Sequence, residues 1–219
     1  VNAVVVFISE KLKKAGRKDL VPLVHFGLTS EDVNNTAYSL MTKGAVDNIM
    51  IPSIKSVLKE LKTLSKKTKS LPLLSLTHGQ PATTTTLGKE LAVFISRIER
   101  ELALIKKMRL LAKFSGATGS YAAHKIAFPG FSWPVFSKRF IKKLGLEQSP
   151  VSTQIEPGDS LAELFHSFVR INNIFSDFSL DMWLYISRNI FVQKNVVGEV
   201  GSSTMPHKIN PIFFENAEG

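Results

Sequence analysis

Cysteine is absent from this chain, which rules out both disulfides and thiolate metal centres. A reducing compartment, the cytoplasm, fits that composition. Long apolar runs are missing too. No stretch approaches the roughly 18 to 20 residues that span a bilayer. The opening Val4-Val5-Val6-Phe7-Ile8 has neither a basic leader nor a small-residue cleavage site, so it is not read as a signal peptide. The five histidines lack paired ligand spacing, and neither metal nor cofactor is expected. Acidic residues are outnumbered, 18 against 28 Lys and Arg, for a net charge of +10. Such an excess ordinarily raises nucleic acid as a partner. Here the clusters Lys55, Lys59, Lys62, Lys66, Lys67, Lys69 and Lys138, Arg139, Lys142, Lys143 recur at helical spacing opposite apolar stripes. They read as solvated helix faces, so no nucleic-acid partner is expected, and no membrane partner either.

Sustained alternation of polar and apolar residues, the mark of a half-buried sheet, is also missing. What is present is helical. From Leu161, apolar residues fall at Leu164, Phe168, Ile171, Phe175, Phe178, Met182 and Tyr185, one face of a helix of about 28 residues. A second stripe, Leu87, Leu91, Phe94, Ile98, Leu102, Ile105 and Met108, predicts about eight turns. A third, Ile54, Val57, Leu58, Leu61 and Leu64, is interrupted near its start by Pro52, which a first helical turn tolerates and which elsewhere implies a kink. Ser30 is placed to N-cap a helix beginning at Glu31, and Gly44 to close it in a left-handed C-cap. Gly116 and Gly119 break the chain after the second stripe, and residues 127–134 form a loop before a short amphipathic segment, Pro134 to Leu144. Helices of this length pack as an extended bundle, so the fold class is all-α.

Chemistry concentrates in Gly201-Ser202-Ser203-Thr204-Met205-Pro206-His207-Lys208-Ile209-Asn210-Pro211. Hydroxyls, a cation and an amide stand in a glycine- and proline-bounded stretch, which suits a mobile lid over a dianionic substrate. From residue types alone, a Ser/Thr-rich turn between helices is equally open. Two other polar segments stand out, Thr29-Ser30-Glu31-Asp32-Val33-Asn34-Asn35 and Thr77-His78-Gly79-Gln80-Pro81-Ala82.

Taken together, these segments resemble the fumarase/aspartase superfamily, whose signature loop follows the pattern G-S-S-x-M-P-x-K-x-N. His before the signature Lys, and Thr-His-Gly-Gln-Pro-Ala, are similar to the adenylosuccinate lyase branch rather than to fumarases, aspartases or argininosuccinate lyases. The resemblance also covers Thr153-Gln154-Ile155-Glu156-Pro157, although Gly158 stands where close relatives commonly have His. It implies cleavage of the C–N bond of adenylosuccinate to AMP and fumarate by β-elimination, and of the succinylated imidazole-carboxamide ribotide of purine biosynthesis.

The resemblance also assigns roles. Ser202 is implied as the catalytic base and His78 as the general acid. Lys208 and Asn210 hold the carboxylate whose charge grows in the transition state. Thr29 and Ser30 bind carboxylate at a helix N-terminus, and Thr77, Gln154 and Ser203 complete the substrate-binding set. His25, Met205 and His207 are further candidates; His124 and His166 are read as structural. The implied assembly is a homotetramer with active sites shared between subunits. The chain reads as an excerpt: residues 1–24 as the end of an N-terminal domain, and 25–219 as a central helical-bundle domain without its C-terminal part or the domain that follows. Two alternatives are another fumarate-releasing lyase of the superfamily and a non-catalytic helical assembly module.

Overall fold

The computed structural model describes residues 2–194, 205 and 208–219. In chain order its helices are α1 (Asn2–Lys14), a 3-10 segment (Lys18–Leu23), α2 (Ser30–Ala45) and a π turn (Val46–Met50) leading into α3 (Ile51–Lys67). Strands β1 (Pro72–Thr77) and β2 (Gln80–Thr86) precede α4 (Leu87–Lys107). Then come β3 (Leu111–Ala112), α5 (Ala122–Ala127), α6 (Trp133–Lys143), β4 (Glu147–Gln148), α7 (Asp159–Ser187) and α8 (Ile212–Glu218). The architecture is mostly helical, as the stripes require. Among the described residues no helix is long and apolar enough to cross a membrane. The lysines of both basic clusters are exposed, which agrees with solvated faces.

Several expectations need correction. The cap of α2 is Thr29 rather than Ser30, because Asp32 then occupies the third helical position and receives the Thr29 N–H. Gly44 closes nothing. It is helical, and the chain runs on through the π turn, where the Ile51 N–H donates to Val46 O. Pro52 has no N–H to give to the turn before it, and a π turn at that point accommodates the interruption. The second stripe makes a helix of 21 residues that ends at Lys107, so Met108 lies outside it and the run is nearer six turns than eight. By contrast, α7 with 29 residues matches its stripe.

The antiparallel pair β1–β2 was not legible as alternation. Its register pairs Leu74 with Thr84 and Thr77 with Gln80, with an irregularity between Leu74 and Leu76. Both strands are mostly exposed, so no inward–outward contrast is written into them.

Two compact units divide the chain, Val1–Pro52 with Met108–Glu163, and Ser53–Lys107 with Leu164–Gly219. In the first, α2 turns Asp32, Asn35 and Ser39, spaced for one helical face, onto the segment 111–116. Ser39 Oγ donates to the Leu111 carbonyl at 2.7 Å, Asn35 exchanges two bonds with the backbone of Lys113, and Ser160 Oγ accepts the Leu111 N–H. Side chains thus satisfy a backbone that β3, paired in parallel with β4 over only two residues, leaves largely unladdered. In the second unit, Leu91, Phe94, Ile98, Leu102 and Ile105 of α4 are buried with Ile54, Leu58 and Leu61 of α3 and Leu164, Ile171 and Ile174 of α7. The Phe94 and Phe178 rings meet edge to face at 5.4 Å, and Arg170 donates to the buried Glu101 at 2.9 Å.

Candidate active site

In the first unit, the Thr29 N–H donates to Oδ2 of Asp32 at 2.9 Å. An acceptor side chain at this position is the sequence mark of a capped helix start. Asp32 does far more than cap. Only 3% exposed, it also accepts the Ser115 N–H at 3.0 Å and the Gly116 N–H at 3.1 Å, and it pairs with the Lys113 ammonium at 2.9 Å. Lys113, wholly buried, gives a further bond to the Gly116 carbonyl at 2.8 Å. A buried ion pair is tolerated when its remaining lone pairs and protons find partners, and backbone groups supply them here.

Ser115 extends the arrangement. Its Oγ lies 2.9 Å from Ser152 Oγ, and Gly119 is packed so closely on the Ser152 carbonyl that a Cβ would come within 2.0 Å of it. Ser152 leads directly into Thr153 and Gln154. The Thr29–Ser30 corner and the Gln154 loop therefore share one buried support. Thr29 is half-buried, while Ser30 and Gln154 are exposed. Beside them, burial pushes the Glu156 carboxyl above the usual carboxylate range. The Gly158 N–H, donated to it at 2.8 Å, pulls the other way, and Asp159 and Glu31 add to the rise. Gly158 sits at φ +84 with open space where a Cβ would stand, so a side chain there would meet backbone strain rather than a clash.

In the second unit, His78 and Gly79 form the two-residue turn between β1 and β2, with φ values of 54 and 73. Left-handed conformations at both positions match the right-handed twist of a hairpin. Glycine adopts them freely, whereas His78 is held there at some cost. Both His78 and Thr77 are exposed. At the root of the hairpin, Thr85 Oγ1 donates to Glu90 of α4 at 2.7 Å and the Leu87 N–H donates to the Leu71 carbonyl. Lys208 and Asn210 are exposed just before α8, and the Lys208 N–H donates to the carbonyl of Met205, itself half-exposed. Among the described residues no hydrogen bond joins His78 to Lys208 or Asn210. Ser202, Ser203 and His207 lie outside the described residues.

The remaining histidines differ sharply. His25 and His166 are exposed, while His124 of α5 is fully buried among Phe26, Phe114, Tyr121 and Trp133. Sequence reading missed Asp32, Asn35, Lys113 and Ser115 as the frame of this corner. The spacing from Thr29 to Asp32 was the available signal; Lys113 stands too far along the chain for any local pattern to pair it with Asp32.

The family model described as Lyase matches residues 1–219. The chain is 46% identical over 221 residues to the adenylosuccinate lyase of Vibrio cholerae serotype O1 and 46% identical over 220 residues to that of Escherichia coli K12. Each match takes in all of this chain and 48% of the relative. The adenylosuccinate lyase of Dictyostelium discoideum is 48% identical over 225 residues, with the same coverage. The chain thus spans about half the length of the curated relatives it matches. Among solved structures, a 3-carboxy-cis,cis-muconate lactonizing enzyme from Pseudomonas putida superposes with a TM-score of 0.77 at 24% identity, over all of this chain and 46% of that one. That likeness shows the fold.

Proposed function

This chain belongs to the lyase family, whose model it matches from end to end, and on that premise we propose that the protein carrying it cleaves adenylosuccinate to AMP and fumarate. The observation that carries the proposal is the 46% identity to adenylosuccinate lyases across the whole chain. The succinylated imidazole-carboxamide ribotide is the second substrate, since it presents the same succinyl–nitrogen bond.

The reaction is a β-elimination. Ser202 removes the proton from the succinyl carbon beside the carboxylate that becomes doubly charged. The electron pair forms the new C=C bond of fumarate as the C–N bond breaks. His78 then delivers a proton to the departing nitrogen, and exposure at the tip of a tight turn is a suitable place for a group that must reach a substrate. Lys208 and Asn210 stabilise the growing negative charge, with Ser203 and Thr77 as further contacts. Thr29 and Ser30 receive the other carboxylate at the start of α2, with Gln154 at their side on the shared Ser115–Ser152 support. His25, Met205 and His207 stand as additional contacts. No metal or cofactor takes part, and the work is done in the cytoplasm.

The working form is a homotetramer with shared sites. Support comes from α7, where Phe165, Val169, Leu180 and Leu184 are all about half exposed and fall within roughly a 100° arc that Asn173 and Ser176 share. The function is tested by absorbance-monitored cleavage of adenylosuccinate by the full-length protein and its Ser202→Ala variant. Cleavage that disappears in the variant supports lyase and base together; cleavage that survives moves the base elsewhere; an inactive parent refutes the assignment.

A further inference from the structure

His124 is the most unusual side chain of the first unit. It is fully buried, yet neither Nδ1 nor Nε2 has a hydrogen-bond partner among the described residues. Its ring is caged by Trp133 at 4.6 Å, Phe114 at 5.5 Å, and Phe26 and Tyr121 at 5.9 Å. An apolar side chain would fill such a cage without stranding two polar atoms, so packing alone is a poor reason for an imidazole.

The ring's neighbours suggest a better one. Gly27, at φ +65, lies so flush against the imidazole that a Cβ there would fall 2.4 Å from Nε2. A Cβ on Gly116 would stand 3.4 Å from Cε1 and 3.4 Å from the Gly27 carbonyl oxygen, so both glycines meet at the ring. Gly27 is two residues before Thr29. The Gly116 N–H donates to Asp32, which in turn accepts the Thr29 N–H. One ring therefore braces both routes into the start of α2. Burial, opposed by the nearby Asp32 carboxylate, holds its pKa below that of an ordinary imidazole, which favours the neutral ring.

We propose that His124 is a positioning residue for the Thr29–Ser30 carboxylate-binding corner, acting through its contacts with Gly27 and Gly116. The proposal rests on the reading of Thr29 and Ser30 as carboxylate ligands. It places no reacting group on His124 itself. Its signature is weakened binding of the succinyl carboxylate with the chemical step largely intact.

The test uses the full-length protein with His124→Ala, His124→Gln and His124→Asn. Gln can set an amide atom near the place of Nε2, against Gly27, whereas Asn reaches only to the place of Nδ1. In His124→Ala the KM for adenylosuccinate and the Kd for fumarate, titrated as the free dianion, rise about tenfold while kcat stays within about threefold. His124→Gln recovers most of the affinity and His124→Asn does not. A folded Ala variant with unchanged KM and fumarate affinity overturns the proposal, as does a fall in kcat at constant KM. If the Ala variant fails to fold, the Gln and Asn variants decide: equal fumarate affinity in the two overturns it. A parent that binds fumarate without cleaving adenylosuccinate refutes the proposed function alone, and the fumarate titrations still judge His124. A parent that does neither refutes both.

Discussion

The corner around Thr29 and the turn around His78 are built on opposite plans. At the corner, a buried Asp32 gathers three backbone N–H groups and a wholly buried lysine, and the hydroxyls of Ser115 and Ser152 carry that order outward to the Gln154 loop. At the turn, His78 stands exposed on a hairpin whose root is held by Thr85, Glu90 and Leu87. One region places its functional groups by burial, the other by the length and twist of a short ribbon. The difference teaches that the same kind of substitution should register in stability in the first region and in chemistry in the second.

The largest effect that separates them is catalytic. His78→Ala should lower kcat by about 10²- to 10⁴-fold, the range for losing a general acid. Its thermal midpoint should stay close to that of the parent, because the side chain removed is exposed. A large drop in midpoint would erase the contrast. Next comes Lys113→Met, which leaves the buried Asp32 carboxylate without its cation and should cost about 3–5 kcal/mol in denaturant unfolding. Pairing it with Asp32→Asn should return part of that loss, and failure to do so would mean that the ion pair is not what holds the corner. A core cut in the second unit, Ile98→Ala, should cost about 2–5 kcal/mol from a site with no exposure at all. That loss should leave the KM for adenylosuccinate unchanged, which distinguishes general packing from the Thr29 frame.

The smallest effect is a pH dependence. The folded state holds the His124 imidazole below its ordinary pKa through desolvation, with Asp32 pulling the other way. As pH falls through about 6.5, the unfolded chain takes up the proton first. Stability tied to His124 is therefore complete above that value and declines below it until the folded ring also titrates. Thermal midpoints followed from pH 7.5 to pH 5 should decline less steeply in His124→Gln than in the parent, and parallel curves would contradict this.

The same contrast explains what could be read from the sequence. The stripe from Leu164 to Tyr185 revealed α7 nearly residue by residue, because a helix buried along one face repeats its apolar positions. Residues 72–86 gave no such pattern, since a ribbon exposed on both sides puts no constraint on alternation. The clue was instead local: a two-residue His-Gly turn followed by a β-branched run, Thr83 to Thr86. Gly44 misled because a glycine suggests a helix end, yet α2 continues past it into the π turn. The motif residues Thr29, His78, Gln154, Lys208 and Asn210 were legible as a resemblance. Their frame was not, because Asp32 meets Lys113 across 81 positions and nothing in either neighbourhood announces the other.

On the proposed shared-site tetramer, Ser202 and His78 come to one site from different subunits, and mixing should reveal it. Full-length Ser202→Ala and His78→Ala proteins, each inactive alone, would be combined under conditions where subunit exchange is verified by differently tagged chains. The account predicts recovery of adenylosuccinate cleavage, since some mixed sites then contain an intact serine and an intact histidine. Verified exchange without any recovered cleavage would contradict it.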